Sequence, residues 1–209
     1  MDHTVVRGNT ASIYMRDMRR RGELGRLDLA RLSVVLLRYR LALIDMRGVM
    51  ARVFQALEGT SEAALRARCD ELFEREIRPL VSAEALEAAA RHRDQGHTNA
   101  LLTAQTLYMA EPLARLMGCE HILCTRLEVT EGLFTGRAEG PMCYGDGKVA
   151  LARDWAQLGG YALDASYFYT DSYTDLPMLE AVGAPRVVGP DVRLWVAARR
   201  RGWPIMRFA

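Results

Sequence analysis

The chain has 209 residues, 28 of them basic and 26 acidic, for a formal net charge of +2, and half of its residues are hydrophobic. So near a balance gives no reason to expect nucleic acid as a partner, and the apolar share is enough to bury a sizeable core. The length fits one domain, or one domain carrying an inserted module.

Cys69, Cys119, Cys124 and Cys143 form no Cys-x-x-Cys pair and read as reduced thiols of a cytoplasmic protein. Met1-Asp2-His3-Thr4 lacks a basic start followed by an apolar core, so no signal peptide is expected. The most apolar stretch, Leu32 to Ile44, is interrupted by Arg38 and Arg40 and falls short of the roughly 20 residues of a membrane span. It reads as a buried bundle helix, with contact at a membrane surface as the alternative.

In chain order, the first half is helical in pattern. Helices are expected over Thr10 to Arg21, stopped by Gly22, then Asp28 to Leu43, then Met46 to Leu57, ended by Gly59. Ser61 caps a further helix running to Ile77, before Pro79. Short joins between these segments suggest a small antiparallel bundle, whose long arginine side chains would line the face that meets a substrate. The runs Arg19-Arg20-Arg21 and Arg199-Arg200-Arg201 read as solvated helix ends.

After Pro79 short apolar runs alternate with helices. Ala83 to Arg93 is a helix closed by Gly96, and Ala100 to Leu102 is a strand ending at Thr103. Tyr108 to Met117 is a helix, His121 to Cys124 a second strand, and Leu127 to Arg137 a hairpin around Glu131-Gly132. A helix from Lys148 to Leu158 leads to a third strand, Tyr167 to Tyr169. Leu176 to Val182 is helical, Arg186 to Val188 is a fourth strand, and Val192 to Arg201 is the last helix. This alternation predicts an α/β fold with a parallel sheet, whose ligands gather at the carboxyl ends of the strands.

Chemistry concentrates at that edge. Of all the basic residues only Lys148 is a lysine, and its ammonium is a compact point charge where a guanidinium is a broad fork. In Gly145-Asp146-Gly147-Lys148 the glycines let backbone pass close to a small anion; the plainer reading is a surface lysine near a helix start. Asp171 and Asp175, just past an apolar strand, can converge on a hard cation such as Mg²⁺. Equally, Asp171 can cap the next helix with Asp175 in its first turn. Thr103 is placed to donate to a phosphate oxygen or to cap a helix. Asp2-His3-Thr4 has the shape of a loop that follows a strand, yet as a chain terminus its default is disorder.

Taken together, Asp2, Thr103, Lys148, Asp171 and Asp175 resemble the four motifs of the haloacid dehalogenase-like (HAD) phosphatases over nearly the whole chain. The likeness is to subfamily IB, which includes phosphoserine phosphatases and carries a helical cap. The stretches that carry it are Asp2-His3-Thr4 with Gly8-Asn9-Thr10, Gly96-His97-Thr98-Asn99 leading to Leu102-Thr103-Ala104, and Glu111-Pro112-Leu113-Ala114. Thr135-Gly136-Arg137, Gly145 to Lys148 and Tyr169-Thr170-Asp171 through Glu180 complete it. The resemblance implies a Rossmann-like core made of residues 1–10 and 82–209, with a cap over residues 11–81.

The family's first motif is Asp-x-Asp-x-Thr. Here Asp2 matches its second aspartate and Thr4 its threonine, so the nucleophilic aspartate would stand one residue before Met1, after a central strand that is also missing. Either the start lies upstream, or the chain is a shortened, inactive descendant.

By resemblance, the absent aspartate attacks phosphorus and Asp2 is the general acid and base. Mg²⁺ is held by that aspartate, the Asp2 carbonyl and Asp171, while Asp175 orients a metal-bound water or Lys148. Thr103 and Lys148 grip the phosphate. The chain as it stands is then expected to be nearly inactive, and poorly stable because the neighbours of the missing strand keep unpaired backbone groups.

Val5 to Asn9 and Thr103-Ala104-Gln105-Thr106 depart from the glutamate and Ser-Gly-Gly that phosphoserine phosphatases usually carry. Another small phosphomonoester, such as an amino-alcohol phosphate, suits the arginine-rich cap better, and a lipid phosphate suits the segment from Leu32 to Ile44. The rival readings are a non-catalytic phosphate-binding or interaction module and, more remotely, a metal-dependent regulator resting on Asp171 and Asp175.

Overall fold

A computed structural model describes residues 1–25, 34 and 46–208. Apart from Val34, the helix expected from Asp28 to Leu43 therefore lies outside the described residues, as does the apolar stretch from Leu32 to Ile44. Among the described residues no helix is long and apolar enough to cross a membrane.

Helix α1 (Thr10–Arg20) starts where Asn9 accepts a hydrogen bond from the Ser12 amide, and it carries Arg19 and Arg20 in its last turn. Helix α2 (Met46–Gln55) follows, then α3 (Glu62–Leu72), capped by the Ser61 side chain as expected. The helix predicted to reach Ile77 widens into a π-turn over Phe73–Ile77 and tightens into a 3₁₀ turn over Arg78–Leu80. Pro79 accounts for this: it offers no N–H, and its ring crowds the carbonyl one turn back. Helix α4 (Ala83–Asp94) is capped by Ser82.

Strand β1 (Ala100–Thr106) runs past its predicted end at Thr103, with an irregular register between Leu102 and Thr106. Helix α5 (Leu107–Met117) leads to β2 (His121–Thr130) and β3 (Leu133–Glu139). The second predicted strand and the first arm of the predicted hairpin are one strand, because no glycine or proline interrupts the chain between Cys124 and Leu127. Its first half pairs parallel with β1 and its second half antiparallel with β3, turning at Glu131 and Gly132, both with positive φ.

Helix α6 (Asp146–Gly159), β4 (Tyr167–Thr170), α7 (Leu176–Ala181), β5 (Ala184–Val188) and α8 (Val192–Arg201) agree with the predicted alternation. The short β6 (Ile205–Met206), for which no strand was expected, extends the sheet beyond β5.

The parallel α/β architecture is thus present, but as two three-stranded sheets, β1-β2-β3 and β4-β5-β6, rather than one. Among the described residues nothing pairs with the outer edge of β1 or of β4. The main core joins Val5, Val6 and Leu101 to Leu113 and Phe134, and it includes Phe54, Leu72 and Phe73 from the helical segment. Smaller clusters lie under α6 and α7, around Ala152 and Met178, and under α8, around Leu194.

Among the described residues, several arginines of the helical segment are engaged by carboxylates of the same segment. Asp17, only 2% exposed, binds Arg21, Arg68 and Arg75 at 2.6–2.9 Å, while Arg20 pairs with Glu76 and Arg78 with Glu74. Burial opposes ionisation of Asp17, but hydrogen bonds from Arg75 and Arg68 outweigh it and hold its carboxyl below the ordinary value. Carboxylates at matching helical positions consume these cations, so they tie α1 to α3 and the turns after it.

All four cysteines are free thiols. Burial pushes Cys69 and Cys143 up to about 12, and Cys119 and Cys124 up to about 11. Near neutral pH the thiolate fraction is then negligible. Treatment of the native protein with an aromatic disulfide reagent should release chromophore slowly, with full labelling only in denaturant. Rapid labelling of Cys69, Cys124 or Cys143 would contradict this burial, while the half-buried Cys119 should react first.

Candidate active site

The chain start is an ordered loop, not a frayed end. Val5 and Val6 donate backbone bonds to the Met1 carbonyl, Ser82 donates to Val5, and Arg7 donates to Leu80. His3 takes a positive φ of 55°, uncommon for a residue with a side chain. The loop carries Asp2 and Thr4 to the carboxyl end of the strands.

There the Thr4 hydroxyl donates to Asp171 Oδ1 at 2.6 Å, so residues far apart in the chain meet across the two sheets. Asp171 follows β4 directly and does not cap the next turn; Ser172 does, accepting from the Thr174 amide. Burial raises the Asp171 carboxyl, against the Thr4 hydrogen bond and the Met1 amine, which lower it. The Met1 amine is itself buried, which together with the charge of Lys148 lowers its pKa, while Asp2, Asp171 and Asp175 act in the opposite sense.

Lys148 is 8% exposed, so the surface reading of this residue is wrong. Gly147 explains how it gets there: a Cβ at that position would fall 2.1 Å from the Met142 carbonyl oxygen. The close approach lets α6 start against that backbone and turn Lys148 inward. Its Nζ donates to Asp175 Oδ1 at 2.7 Å, and Thr170 donates to Asp175 Oδ2 at 2.7 Å. Both Asp175 oxygens are therefore engaged, an arrangement suited to aiming the ammonium rather than to binding a cation directly.

Thr103 is 3% exposed and lies within β1, not at a helix cap. Its hydroxyl accepts from the Gln105 amide at 3.2 Å and lies 3.8 Å from Met1 Sδ. Asp2 is held by two residues that the motif reading quotes but gives no role. Thr10 donates to Oδ1 at 2.8 Å, and Gln105 Nε2 donates to Oδ2 at 3.0 Å. Gln105 was not legible while the strand was expected to end at Thr103; once β1 is seen to continue, residues two apart share a face and Gln105 joins Thr103. Thr10 was hidden by its role as the first residue of α1.

The site thus gathers carboxylates, hydroxyls and one ammonium at one end of an α/β fold, a set suited to holding a small anion. A model of the haloacid dehalogenase-like hydrolases matches residues 1–180. The chain belongs to this family. A probable phosphatase of Mycobacterium tuberculosis is 40% identical over 151 residues, covering 72% of this chain and 52% of the relative. The phosphoserine phosphatase SerB1 of the same organism is 35% identical over 164 residues, 78% of this chain and 53% of its own length. This chain therefore spans about half the length of these curated relatives. A Bordetella pertussis protein of unknown function superposes with a TM-score of 0.91 at 29% identity, over 100% of this chain and 96% of that one.

HAD-like phosphatases imply a magnesium ion. Among the described residues no three His, Cys, Asp or Glu side chains converge on a point that would hold a metal. The donor chemistry nevertheless suits Mg²⁺, because Asp171 and the Asp2 carbonyl are hard oxygens and Thr4 occupies only Oδ1 of Asp171.

Proposed function

We propose that this chain forms the phosphate-gripping part of a Mg²⁺-dependent phosphomonoesterase of HAD subfamily IB, working through an aspartyl-phosphate. The attacking carboxylate is placed one residue before Met1. The observation that carries this reading is that the first residues of the chain sit among the motif residues: Thr4 bonds Asp171, Gln105 of β1 bonds Asp2, Thr103 lies against Met1, and Lys148 is held by Asp175.

In the first step a carboxylate oxygen forms a bond to phosphorus as the ester P–O bond breaks. Asp2, held by Thr10 and Gln105, gives its proton to the leaving oxygen. In the second, Asp2 takes a proton from the attacking water, and the acyl-phosphate P–O bond breaks to release phosphate. Lys148, aimed by Asp175, and Thr103 hold the equatorial oxygens. Mg²⁺, when bound at Asp171 and the Asp2 carbonyl, neutralises charge between the two anions. Residues 11–81 act as the cap over a small phosphorylated substrate.

The departures from the phosphoserine pattern at Gln105 and Val5 point to a different small phosphomonoester, amino-alcohol phosphates first. The test is phosphate release, with Mg²⁺ and with EDTA, from a panel of such esters by the chain extended with an apolar strand ending in aspartate. Turnover with Mg²⁺ alone supports the reading. No turnover on any ester, with the fold intact, supports a non-catalytic phosphate-binding module instead.

A further inference from the structure

Asp171 and Asp175 keep their aim only if the backbone of the loop between them is held. Within that loop the bonds are local. The Asp175 amide donates to the Ser172 carbonyl at 3.1 Å, and the Thr174 amide to the Ser172 hydroxyl at 3.3 Å. Such bonds shape the loop without placing it against the rest of the fold.

The backbone is placed from β5 and α8. Strands β4 and β5 are parallel and paired as far as Thr170 beside Val187, so the chain leaves both side by side. After β5, Gly189 takes a φ of +48°, a conformation that glycine adopts without strain. The turn brings Asp191 back against the first residues past β4. Its amide donates to the Asp171 carbonyl at 2.9 Å, and its Oδ2 accepts from the Tyr173 amide at 2.7 Å. Its Oδ1 accepts from the Leu194 amide at 2.8 Å, which caps α8. Two residues on, the Arg193 guanidinium lies 4.3 Å over the Tyr173 ring.

Capping a helix takes one acceptor, and serine or asparagine serves as well as aspartate. Capping therefore explains only the Oδ1 bond. The carboxylate presents a second acceptor, and that one is engaged by the loop. We propose that Asp191 is a positioning residue for the candidate site, one oxygen starting α8 and the other pinning the backbone between Asp171 and Asp175. It acts through that backbone: the Asp171 carboxyl is kept toward Mg²⁺ and the Asp175 carboxyl toward Lys148. The inference rests on the proposed function for the metal at Asp171, whereas the holding of the loop stands without it.

The experiment compares Asp191→Ser and Asp191→Ala with the parent. Serine keeps an acceptor for the Leu194 amide and releases the Tyr173 amide, while alanine removes both. Amide hydrogen exchange and thermal melting are followed on residues 1–209, and Mg²⁺ affinity, kcat and KM on the strand-extended chain. Asp191→Ser should keep Tm within about 2 °C. Exchange at Tyr173–Asp175 should speed up about tenfold or more while α8 stays protected. Mg²⁺ should bind about 10–100-fold more weakly, as when a metal ligand loses its support, and excess Mg²⁺ should restore kcat at unchanged KM. Asp191→Ala should in addition lower Tm by several degrees. Parent-like loop exchange and Mg²⁺ affinity in Asp191→Ser would make Asp191 a helix cap only and overturn the inference. So would a loss of activity that follows Tm and that excess Mg²⁺ does not restore. A strand-extended parent that binds no Mg²⁺ counts against the proposed function; exchange at Tyr173–Asp175 then decides by itself whether Asp191 holds the loop.

Discussion

Lys148→Met should lower stability by about 3–5 kcal/mol, or roughly 6–20 °C in Tm for a chain of this size. Lys148 and Asp175 form a 2.7 Å ion pair whose side chains are 10% and 7% exposed, so removing the ammonium leaves a buried carboxylate with only Thr170 as donor. Calorimetry of the single variants and of Lys148→Met/Asp175→Leu checks this. The double variant should lose less than the sum of the two singles, because no charge is then left buried alone. Lys148→Arg should also lose stability, since a planar fork does not fit the place of a point charge against Asp175. Full stability in Lys148→Arg would mean that the lone lysine has no steric reason to be there.

Asp2→Asn, made in a chain extended by the aspartate-ended strand, should reduce kcat by about 10²–10⁴ while leaving KM near its starting value. Asparagine keeps the size of the side chain and can still accept from Thr10, so the fold should survive. What it loses is a proton to give and take at the leaving oxygen. A parallel rise in KM with unchanged kcat would place Asp2 in substrate binding rather than in proton transfer.

Much of the fold was legible because its punctuation is local. Gly22, Gly59, Gly96 and Gly118 stop helices, and Ser61 and Ser82 start them by bonds that involve only their neighbours. The length of β2 was not legible. One uninterrupted run from His121 to Thr130 serves two partners in opposite orientations, and pairing partners are distant in sequence. The split into two sheets was not anticipated; the family resemblance implied only unpaired backbone on the strands beside the missing one, and periodicity within a strand says nothing of its neighbours. In the site, residue chemistry brought forward Lys148 and the Asp171/Asp175 pair, and the family resemblance joined Asp2 and Thr103 to them. Thr4, Thr10 and Thr170 lay within the same motif stretches, but their roles as holders of these carboxylates were not legible, because a threonine at a strand or helix end has many ordinary uses. The pairing of the arginines in the helical segment was not legible for a related reason. Their abundance suggested an anion-facing surface, whereas among the described residues Asp17, Glu74 and Glu76 engage Arg20, Arg21, Arg68, Arg75 and Arg78.

The most direct measurement of the central claim is acid-quenched mass spectrometry of the strand-extended chain mixed with Mg²⁺ and a phosphomonoester. A phosphoryl adduct should map to the aspartate immediately before Met1, appear before steady turnover, and vanish when that residue is asparagine. An adduct on any other residue, or robust Mg²⁺-dependent hydrolysis by residues 1–209 alone, would contradict the account.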